Sequence, residues 1–285
     1  MGRTRQNVFV TAGELRRLID SGNPVTVLDV RWSLAEPDGE QAYLNGHLSG
    51  AVYVSLDADL TDHRVDGRGR HPLPSGSDLQ AAARRWGVRT GVPTVVYDDW
   101  NRAGSARAWW VLTAAGIDDV RILDGGLAAW SAAGEVLDTG PVTPPSGDVE
   151  VRHDDLYRGA LRTLTAEQAT TEVEVLLDAR APERFRGDVE PVDPVAGHIP
   201  GAVNLPSTQL LAADGTLLPD TRLHALLSDR GVADSADIGA YCGSGVTAAL
   251  AVAGLAAAGV DAALYPGSWS EWASDPGRPV ARGES

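Results

Sequence analysis

Short runs of β-branched and apolar residues alternate along the chain with longer stretches whose apolar positions follow helical spacing. The short runs predict buried strands over residues 25–31, 95–98, 173–180 and 238–241. The longer stretches predict helices over residues 11–19, 79–86, 223–230 and 246–258, and Thr165 to Gln168 fits a capping box at the start of a further helix. Alternating strands and helices indicate an α/β fold with mostly parallel sheets that helices cover on both faces. In such sheets, ligands bind at the carboxyl ends of the strands.

The same series of segments occurs twice along the chain in the same order. Six pairs of blocks correspond, at residues 25–31 and 173–180, 46–52 and 197–203, 79–86 and 223–230, 95–98 and 238–242, 114–117 and 257–260, and 124–130 and 266–272. Such a repeat predicts a duplicated domain. Residues 137–149 are rich in Pro and Gly, which is typical of a linker. We therefore predict an N-terminal domain over residues 1–138, a linker over 139–152 and a C-terminal domain over 153–285.

Composition and charge narrow the classes of protein to which the chain can belong. Its 285 residues are 43% hydrophobic and 22% charged, as in ordinary soluble globular proteins. The formal net charge of −15 disfavours nucleic acid or an anionic membrane as a partner, so an anionic substrate would need a local cluster of Arg. The polar first residues predict no secretory signal, and the apolar run at 246–260 is too short to span a membrane. A single Cys excludes an intramolecular disulfide and fits a reducing compartment, so we expect a soluble cytoplasmic protein.

The single cysteine, Cys242, lies between a predicted strand and a predicted helix, in a loop with Gly243, Ser244 and Gly245. Such a loop can direct successive backbone N–H groups at the sulfur, and the N-terminus of the following helix adds a positive dipole. Both effects favour the thiolate, which is the nucleophilic form. Two other interpretations are open from these residues: a small buried hydrophobic side chain and a phosphate-binding loop. The second lacks both nucleotide fingerprints, since neither a Gly-Lys-Ser/Thr ending nor Gly-x-Gly-x-x-Gly spacing is present.

The two copies of the repeat differ at this loop. The first copy has Asp98 where the second has Cys242. A carboxylate cannot attack as a soft nucleophile. We therefore expect the N-terminal domain to be catalytically inactive and to serve as a scaffold and as one wall of a cleft.

In combination, these features resemble the tandem-domain rhodanese-like sulfurtransferases over essentially the whole chain. The resemblance rests on Asp-x-Arg at two strand ends, two Gly-His-x-x-Gly-Ala-Val blocks, and Asp98 in place of a cysteine. It also rests on Arg-Ala-Trp-Trp from Arg107 and Cys-Gly-Ser-Gly-Val-Thr from Cys242. The resemblance implies two tandem rhodanese-like domains, each a mostly parallel sheet with helices on both faces, and a catalytic cysteine in the second.

The resemblance also implies a double-displacement mechanism centred on Cys242. Its thiolate takes a sulfane sulfur from a donor and becomes a persulfide. A thiophilic acceptor then removes this sulfur: cyanide, a thiol or a reduced dithiol protein. Backbone N–H groups of the loop would stabilise the persulfide anion, namely those of Gly243, Gly245, Val246 and Thr247. Since sulfur itself carries the covalent step, neither a metal nor an organic cofactor is needed.

Within the family the donor is 3-mercaptopyruvate or thiosulfate, and the second residue after the cysteine distinguishes the two groups. Ser244 resembles the mercaptopyruvate enzymes, whereas thiosulfate enzymes place Lys there after an Arg. The mercaptopyruvate enzymes join this serine to a His and an Asp of the first domain, and His71 and Asp59 match those positions, with Asp57 as second choice. A Ser–His–Asp relay could protonate or deprotonate the donor thiol. The alternative is that His71 is an ordinary polar loop residue before Pro72.

The carboxylate of mercaptopyruvate requires a basic clamp, and Arg184 stands at the first clamp position of the family. The mercaptopyruvate enzymes usually carry a second Arg nine residues later, but here that residue is Asp193, as in the thiosulfate enzymes. Arg186 is a candidate replacement. We predict a 3-mercaptopyruvate sulfurtransferase, with a thiosulfate:cyanide sulfurtransferase as the alternative.

Other polar and aromatic residues are assigned structural or peripheral roles. Four residues that recur in both copies are interpreted as structural, the aspartates as bonding to backbone near the strand ends: His47, His198, Asp29 and Asp178. Trp269 and Trp272 could line the mouth of the pocket. A cysteine phosphatase needs Cys-x5-Arg, and Ala248 occupies the arginine position, which disfavours that class. A non-catalytic sulfur carrier is disfavoured by the intact loop and Arg184, and no His/Cys spacing suggests zinc.

Overall fold

The computed structural model describes residues 3–235 and 237–284, so Met1, Gly2, Ala236 and Ser285, which fall within the two predicted domains, lie outside the described residues. The strands are β1 (Phe9–Val10), β2 (Thr26–Asp29), β3 (His47–Leu48), β4 (Val52–Tyr53), β5 (Thr94–Tyr97), β6 (Val120–Leu123), β7 (Leu137–Asp138), β8 (Val175–Asp178), β9 (Val203–Asn204), β10 (Ile238–Tyr241) and β11 (Ala262–Leu264). The helices are α1 (Arg5–Val8), α2 (Ala12–Asp20), α3 (Glu40–Asn45), α4 (Leu56–Asp59), α5 (Gly76–Arg85), α6 (Ala103–Ala114), α7 (Gly126–Ala132), α8 (Gln168–Thr171), α9 (Pro182–Arg186), α10 (Asp220–Ser228), α11 (Thr247–Ala257) and α12 (Ser268–Trp272).

The two copies form parallel sheets of the same topology. The strand order is β1-β6-β5-β2-β4 in the first sheet and β11-β10-β8-β9 in the second, and every pairing in them is parallel. A parallel bridge between Thr163 and Leu264 stands where β1 pairs with β6 in the first copy. The antiparallel pair β3–β7, which includes His47, corresponds in the second copy to an antiparallel bridge between His198 and Ala281. This repeated order confirms the duplicated α/β fold.

The helices that follow the two central strands lie in the interior. Every residue of α6 is buried, and in α11 only Thr247 and Ala256 are partly exposed. A helix buried all round needs apolar residues on every face, and the Ala-, Leu- and Val-rich sequence of α11 provides them. α6 packs against α11. One hydrophobic cluster includes residues of both copies, such as Leu112 and Leu250, so the copies share a core across their interface.

The predicted capping box at the start of the second copy is present, but its helix is short. Thr165 N–H donates to Gln168 Oε1 at 2.8 Å, and Gln168 N–H donates to Thr165 Oγ1 at 3.2 Å. Regular helix α8 extends only from Gln168 to Thr171. No helix within residues 3–235 and 237–284 is long and apolar enough to cross a membrane.

The two recurring histidines are structural, as the sequence predicted. His47 Nδ1 lies 2.9 Å from Leu48 O, and its Nε2 lies 2.9 Å from Gly140 O. His198 Nδ1 lies 2.8 Å from Phe185 O. Each imidazole ring therefore forms hydrogen bonds with backbone carbonyl groups, which is a structural role.

The two recurring aspartates differ in part from the prediction, because their main partners are arginine side chains. The Asp178 carboxylate accepts from Arg180 Nε at 3.0 Å and from Arg180 Nη2 at 2.6 Å, besides the Arg180 N–H. Asp29 binds the guanidinium of Arg31 in the same way. The Asp-x-Arg spacing thus ends each strand in a buried ion pair, at the edge of the sheet where the cysteine lies.

Candidate active site

Cys242 follows directly on β10, and neighbouring loops hold both its backbone and its sulfur. Its side chain is buried, and Sγ accepts a hydrogen bond from the Gly245 N–H at 3.1 Å. The Cys242 N–H donates to Ser268 Oγ at 3.1 Å, and its carbonyl accepts from the Trp269 N–H at 3.0 Å. Gly245 has φ +77°, and a Cβ there would lie 2.3 Å from Pro266 O, so this turn requires glycine. The loop therefore directs a backbone N–H at the sulfur.

The other loop residues that the sequence predicted to surround the sulfur line the cavity in front of it. They are Gly243, Val246 and Thr247. Thr247 is the first residue of the eleven-residue helix α11, so the positive end of the helix dipole lies at the Cys242 loop. This placement favours negative charge on the sulfur.

The side chain of Ser244 forms a hydrogen bond with a histidine of the first copy. Ser244 Oγ lies 2.7 Å from His71 Nδ1, and both side chains are buried. Burial, together with the guanidinium groups of Arg107 and Arg70, lowers the pKa of His71 to about 3. The imidazole is therefore neutral at neutral pH, with one nitrogen that donates and one that accepts.

The structure does not bring the predicted third member of the relay to His71. The Asp59 carboxylate accepts from the Ser55 N–H at 3.1 Å and from Arg85 Nη2 at 3.0 Å. It thus folds back onto the residue that precedes the short helix α4, a local preference that a spacing pattern does not reveal. Asp57, the second choice, is paired with an exposed histidine instead. Of the three residues predicted to form the relay, the structure brings together Ser244 and His71.

Arg184 lies on α9 with its guanidinium beside two buried carboxylates. Its Nη2 donates to Glu190 Oε1 at 2.6 Å and lies 3.4 Å from Asp193 Oδ2. Arg70 of the first copy pairs with the other oxygen of Asp193. Asp193 stands where the mercaptopyruvate enzymes usually carry the second clamp arginine. Here it pairs with Arg70 of the opposite copy.

Arg186, the sequence-based candidate for the second clamp, is not placed to act as one. It pairs with Asp188 at 2.8 Å and lies 3.7 Å from Glu284, outside the cavity. Sequence reasoning missed Arg70. The available signal was its position directly before His71, a residue already predicted to face the cysteine loop.

A cavity of about 260 Å³ opens in front of Cys242 between the two copies. The first copy contributes Trp32, Leu34, Arg70, Trp100 and Asn101. This volume is below the roughly 300 Å³ at which sites for drug-sized ligands begin, so the cavity suits a small metabolite. The first copy forms one wall of the cleft, as expected. No cluster of three or more His, Cys, Asp or Glu within the described residues could hold a metal ion.

The aromatic residues at the mouth of the cavity are not those that the sequence suggested. Trp269 and Trp272 are buried in the core of the second copy and donate to the carbonyls of Val195 and Pro279. Trp100, which is 63% exposed, stands at the mouth instead. The repeat places Trp269 and Trp272 on α12, whose side chains pack inward.

A buried guanidinium without an acidic partner lies behind the cysteine loop. Arg107 on α6 is fully buried, and its Nη2 donates to the carbonyls of Leu60 at 3.0 Å and His71 at 2.9 Å. Its Nη1 lies 3.4 Å from Gly245 O. No carboxylate pairs with it in the described part of the chain, and burial lowers the pKa of Arg107 to about 10, which negative charge on Cys242 would raise. Its guanidinium therefore joins the segment around His71 to the backbone of the cysteine loop.

The equivalent loop of the first copy holds a carboxylate in place of the sulfur. Asp98 accepts from the N–H groups of Trp100 and Arg102 at 3.1 Å and of Ser105 at 3.0 Å. The Arg102 Nη2 lies 3.1 Å from the same carboxylate, and both side chains are buried. The anion-binding loop is thus retained in the first copy and occupied by its own side chain.

Comparison with known proteins places these features in context. The family model for the rhodanese-like domain matches residues 11–133 and 161–275. SseB of Mycobacterium tuberculosis H37Rv, provisionally named a thiosulfate sulfurtransferase, is 64% identical over 281 residues and is covered over 99% of both chains. A Pseudomonas aeruginosa protein, provisionally named a 3-mercaptopyruvate sulfurtransferase, is 46% identical over 266 residues, which cover 90% of this chain and 92% of the relative. The crystal structure of SseA from Escherichia coli, described as a 3-mercaptopyruvate sulfotransferase with the rhodanese fold, has a TM-score of 0.79 at 34% identity and covers 92% of this chain and 98% of its own.

Proposed function

The chain belongs to the rhodanese-like domain family and is a sulfurtransferase, and on this premise we propose that its sulfur donor is 3-mercaptopyruvate. Cys242 is the nucleophile and carries the sulfur as a persulfide. The observation that carries the choice of donor is the 2.7 Å contact between Ser244 Oγ and His71 Nδ1 beside that cysteine.

In the first half of the proposed reaction, the Cys242 thiolate attacks the thiol sulfur of the donor. A sulfur–sulfur bond forms, the carbon–sulfur bond of the donor breaks, and its electron pair passes to the carbon as pyruvate enolate. The thiol proton is transferred to that carbon, which gives pyruvate and a persulfide anion without an external oxidant or reductant. The Gly245 amide, 3.1 Å from Sγ, stabilises negative charge on the sulfur.

Ser244 and His71 supply the path for this proton. Because the pKa of His71 is about 3, the pair can accept a proton on one side and donate one on the other without forming an imidazolium. Thiosulfate has no thiol proton to transfer. A buried hydroxyl–imidazole pair at the cysteine therefore favours a thiol donor.

The charges of the clamp also favour a donor with a single negative charge. Arg184 and Arg70 contribute two cations, and the buried carboxylates of Glu190 and Asp193 balance them. A dianion would add two negative charges to a clamp whose own charges cancel, whereas a mercaptopyruvate carboxylate adds one charge only. The alternative donor, thiosulfate, is favoured by Asp193 at the second clamp position and by the name of the mycobacterial relative.

In the second half of the reaction, a thiophilic acceptor attacks the outer sulfur of the persulfide and regenerates the Cys242 thiolate. Cyanide would leave as thiocyanate, a thiol as a persulfide, and a reduced dithiol protein as a disulfide with release of sulfide. A thiolate nucleophile has to stay reduced between turnovers. We therefore place this chemistry in a reducing compartment such as the cytoplasm.

The test compares kcat/KM for 3-mercaptopyruvate and thiosulfate, with cyanide as acceptor. We expect the wild type to prefer mercaptopyruvate, and Ser244→Ala to lose about 100-fold with that donor, as for a lost acid–base group, while changing little with thiosulfate. Ser274→Ala, at an exposed serine that donates to Glu271 O, is the matched control. A wild-type preference for thiosulfate, or full activity of Ser244→Ala, contradicts the donor assignment. If neither donor turns over, or Cys242→Ser stays active, the sulfurtransferase mechanism itself is wrong.

A further inference from the structure

Two guanidinium groups from different copies meet beside Cys242. A Cβ on Gly243, the residue after the cysteine, would lie 3.2 Å from Arg70 Nη2 and 3.5 Å from Arg184 Nη1. Both arginines line the cavity. Since glycine has no side chain, it leaves this volume open to both groups and to a bound anion.

Each of these arginines binds an acid with one terminal nitrogen and presents the other to the cavity. Arg70 pairs with Asp193 through Nη1, and Arg184 pairs with Glu190 through Nη2 at 2.6 Å. The opposite nitrogens, Arg70 Nη2 and Arg184 Nη1, are the ones nearest to Gly243. A guanidinium held in this way is preorganised to donate to an incoming carboxylate.

The third arginine of the cavity is committed to the fold. Arg180 binds both oxygens of Asp178 and donates to Gly197 O at 2.7 Å. Its guanidinium also lies over the ring of Trp269, 4.7 Å from the centroid. Arg180 therefore has little capacity left for a ligand.

Contacts between the copies hold Arg70 in position. Its N–H donates to Ser270 Oγ of the second copy at 3.0 Å. The preceding residue, Gly69, has φ +80°, and a Cβ there would lie 2.4 Å from Gly267 O. Only glycine allows this close approach of the two backbones. The backbone of Arg70 is therefore docked on the copy that carries the cysteine.

We propose that Arg70 and Arg184 together bind the carboxylate of the sulfur donor, so that the second cation of the clamp comes from the first copy. Asp193 orients Arg70 from the position where the resembled family carries an arginine. This inference rests on the proposed function in one respect, because it assumes a small anionic sulfur donor at Cys242.

The first test is the steady-state kinetics of Arg70→Ala, with cyanide as acceptor. We expect the KM for 3-mercaptopyruvate to rise about 30-fold, as for the loss of a charge-assisted hydrogen bond, while the KM for cyanide stays unchanged. Arg64→Ala is the matched control, because this arginine of the same segment also pairs with aspartates but lies outside the cavity. An unchanged donor KM in Arg70→Ala overturns the inference. If Arg70→Ala does not fold, Arg70→Lys keeps the charge but not the planar fork and should raise the donor KM about tenfold.

A second test distinguishes direct binding of the donor by Arg70 from an indirect effect, in which loss of Arg70 leaves the Asp193 carboxylate without its partner. If the freed carboxylate repels the donor, Asp193→Asn in the Arg70→Ala background restores the wild-type KM, and the inference fails. If Arg70 binds the donor, the double variant keeps the raised KM. Absence of turnover by the wild type in the same assay would instead contradict the proposed function, so the two failures are distinguishable.

Discussion

At the scale of single residues, the contact between the copies beside Cys242 includes a histidine that is uncharged at neutral pH. His71 is buried between Ser244 and two guanidinium groups, and burial is the main reason why its pKa falls to about 3. In the unfolded chain the same side chain has a pKa near 6.5. Between these two values the unfolded state binds a proton that the folded state does not.

This difference predicts an acid-sensitive contribution to stability. It is fully present above about pH 6.5 and declines as the pH falls toward 3, because protonation then favours the unfolded state. Between pH 7 and pH 5 we expect the free energy of unfolding of the wild type to fall by about 2 kcal/mol more than that of His71→Gln. Urea unfolding at both pH values measures the difference.

The comparison between wild type and variant isolates His71 from the carboxylates, which both proteins share. His224→Gln, at an exposed histidine of α10, is the control for removal of an imidazole from the surface. Parallel losses in wild type and His71→Gln would show that the imidazole is protonated in the folded protein.

The identities of Cys242, Ser244 and Arg184 were available from the sequence because each lies in a short local pattern. The contact of His71 with Ser244 followed from family resemblance. The position of Asp59 did not, because its carboxylate binds Ser55 at the start of its own helix. Competition between a local hydrogen bond and a distant one is decided by geometry that no spacing pattern contains.

At the scale of elements, the strand–loop–helix units that begin with β5 and β10 share one architecture but carry different side chains in the loop, Asp98 and Cys242. In the first copy, Asp98 is the anion, and Arg102 is its buried partner at 3.1 Å. Removing one member of a buried ion pair leaves an uncompensated charge.

We therefore predict that Asp98→Ala lowers the free energy of unfolding by about 3 kcal/mol or more, through the unpaired Arg102 guanidinium and the freed backbone N–H groups. Asp118→Ala is the control, since Asp118 pairs with Arg152 at 2.6 Å but its side chain is 81% exposed, and its loss should cost less than about 1 kcal/mol. Chemical denaturation measures both variants. Equal stabilities of the two would mean that the buried pair contributes no more than a surface pair.

The elements themselves were predicted well where apolar runs were long. The predicted helix over residues 246–258 is α11, and that over 223–230 is α10, shifted by about one turn. The helix expected near Thr165 is only about one turn long, because a capping box specifies where a helix starts and not how far it extends. The order of the strands within each sheet was not predicted; the structure shows that the two copies share it.

At the scale of the whole molecule, the two copies are joined by α6 and α11, which pack against each other inside one hydrophobic cluster. Sharing a core makes unfolding of one copy expose apolar surface of the other. Independent melting of the copies is therefore unfavourable.

We predict a single cooperative thermal transition in calorimetry, with equal calorimetric and van't Hoff enthalpies. Leu250→Ala, in the buried face shared by the copies, should lower the free energy of unfolding by about 3 kcal/mol and shift the whole transition. Val136→Ala, at a residue that is 80% exposed, is the matched control and should shift it little. Two resolved transitions, or a shift of only part of the peak, would contradict a shared core.

The arrangement of the copies relative to each other was the least predictable level. Repeats and periodic patterns describe each copy, but the register between copies is fixed by side-chain packing around α6 and α11. The contacts of Arg70 and Arg107 were not predicted for this reason, since each of these residues binds the copy to which it does not belong.

The hydrogen bond between His71 and Ser244 also has a consequence for heredity. Selection on the site of the second copy also acts on the first copy, because the first copy supplies His71, the hydrogen-bond partner of Ser244. A recombination event that replaced one copy with the corresponding unit of a distant relative would separate the two partners of this hydrogen bond. The two halves of the gene are therefore linked in inheritance by a contact that neither half encodes alone.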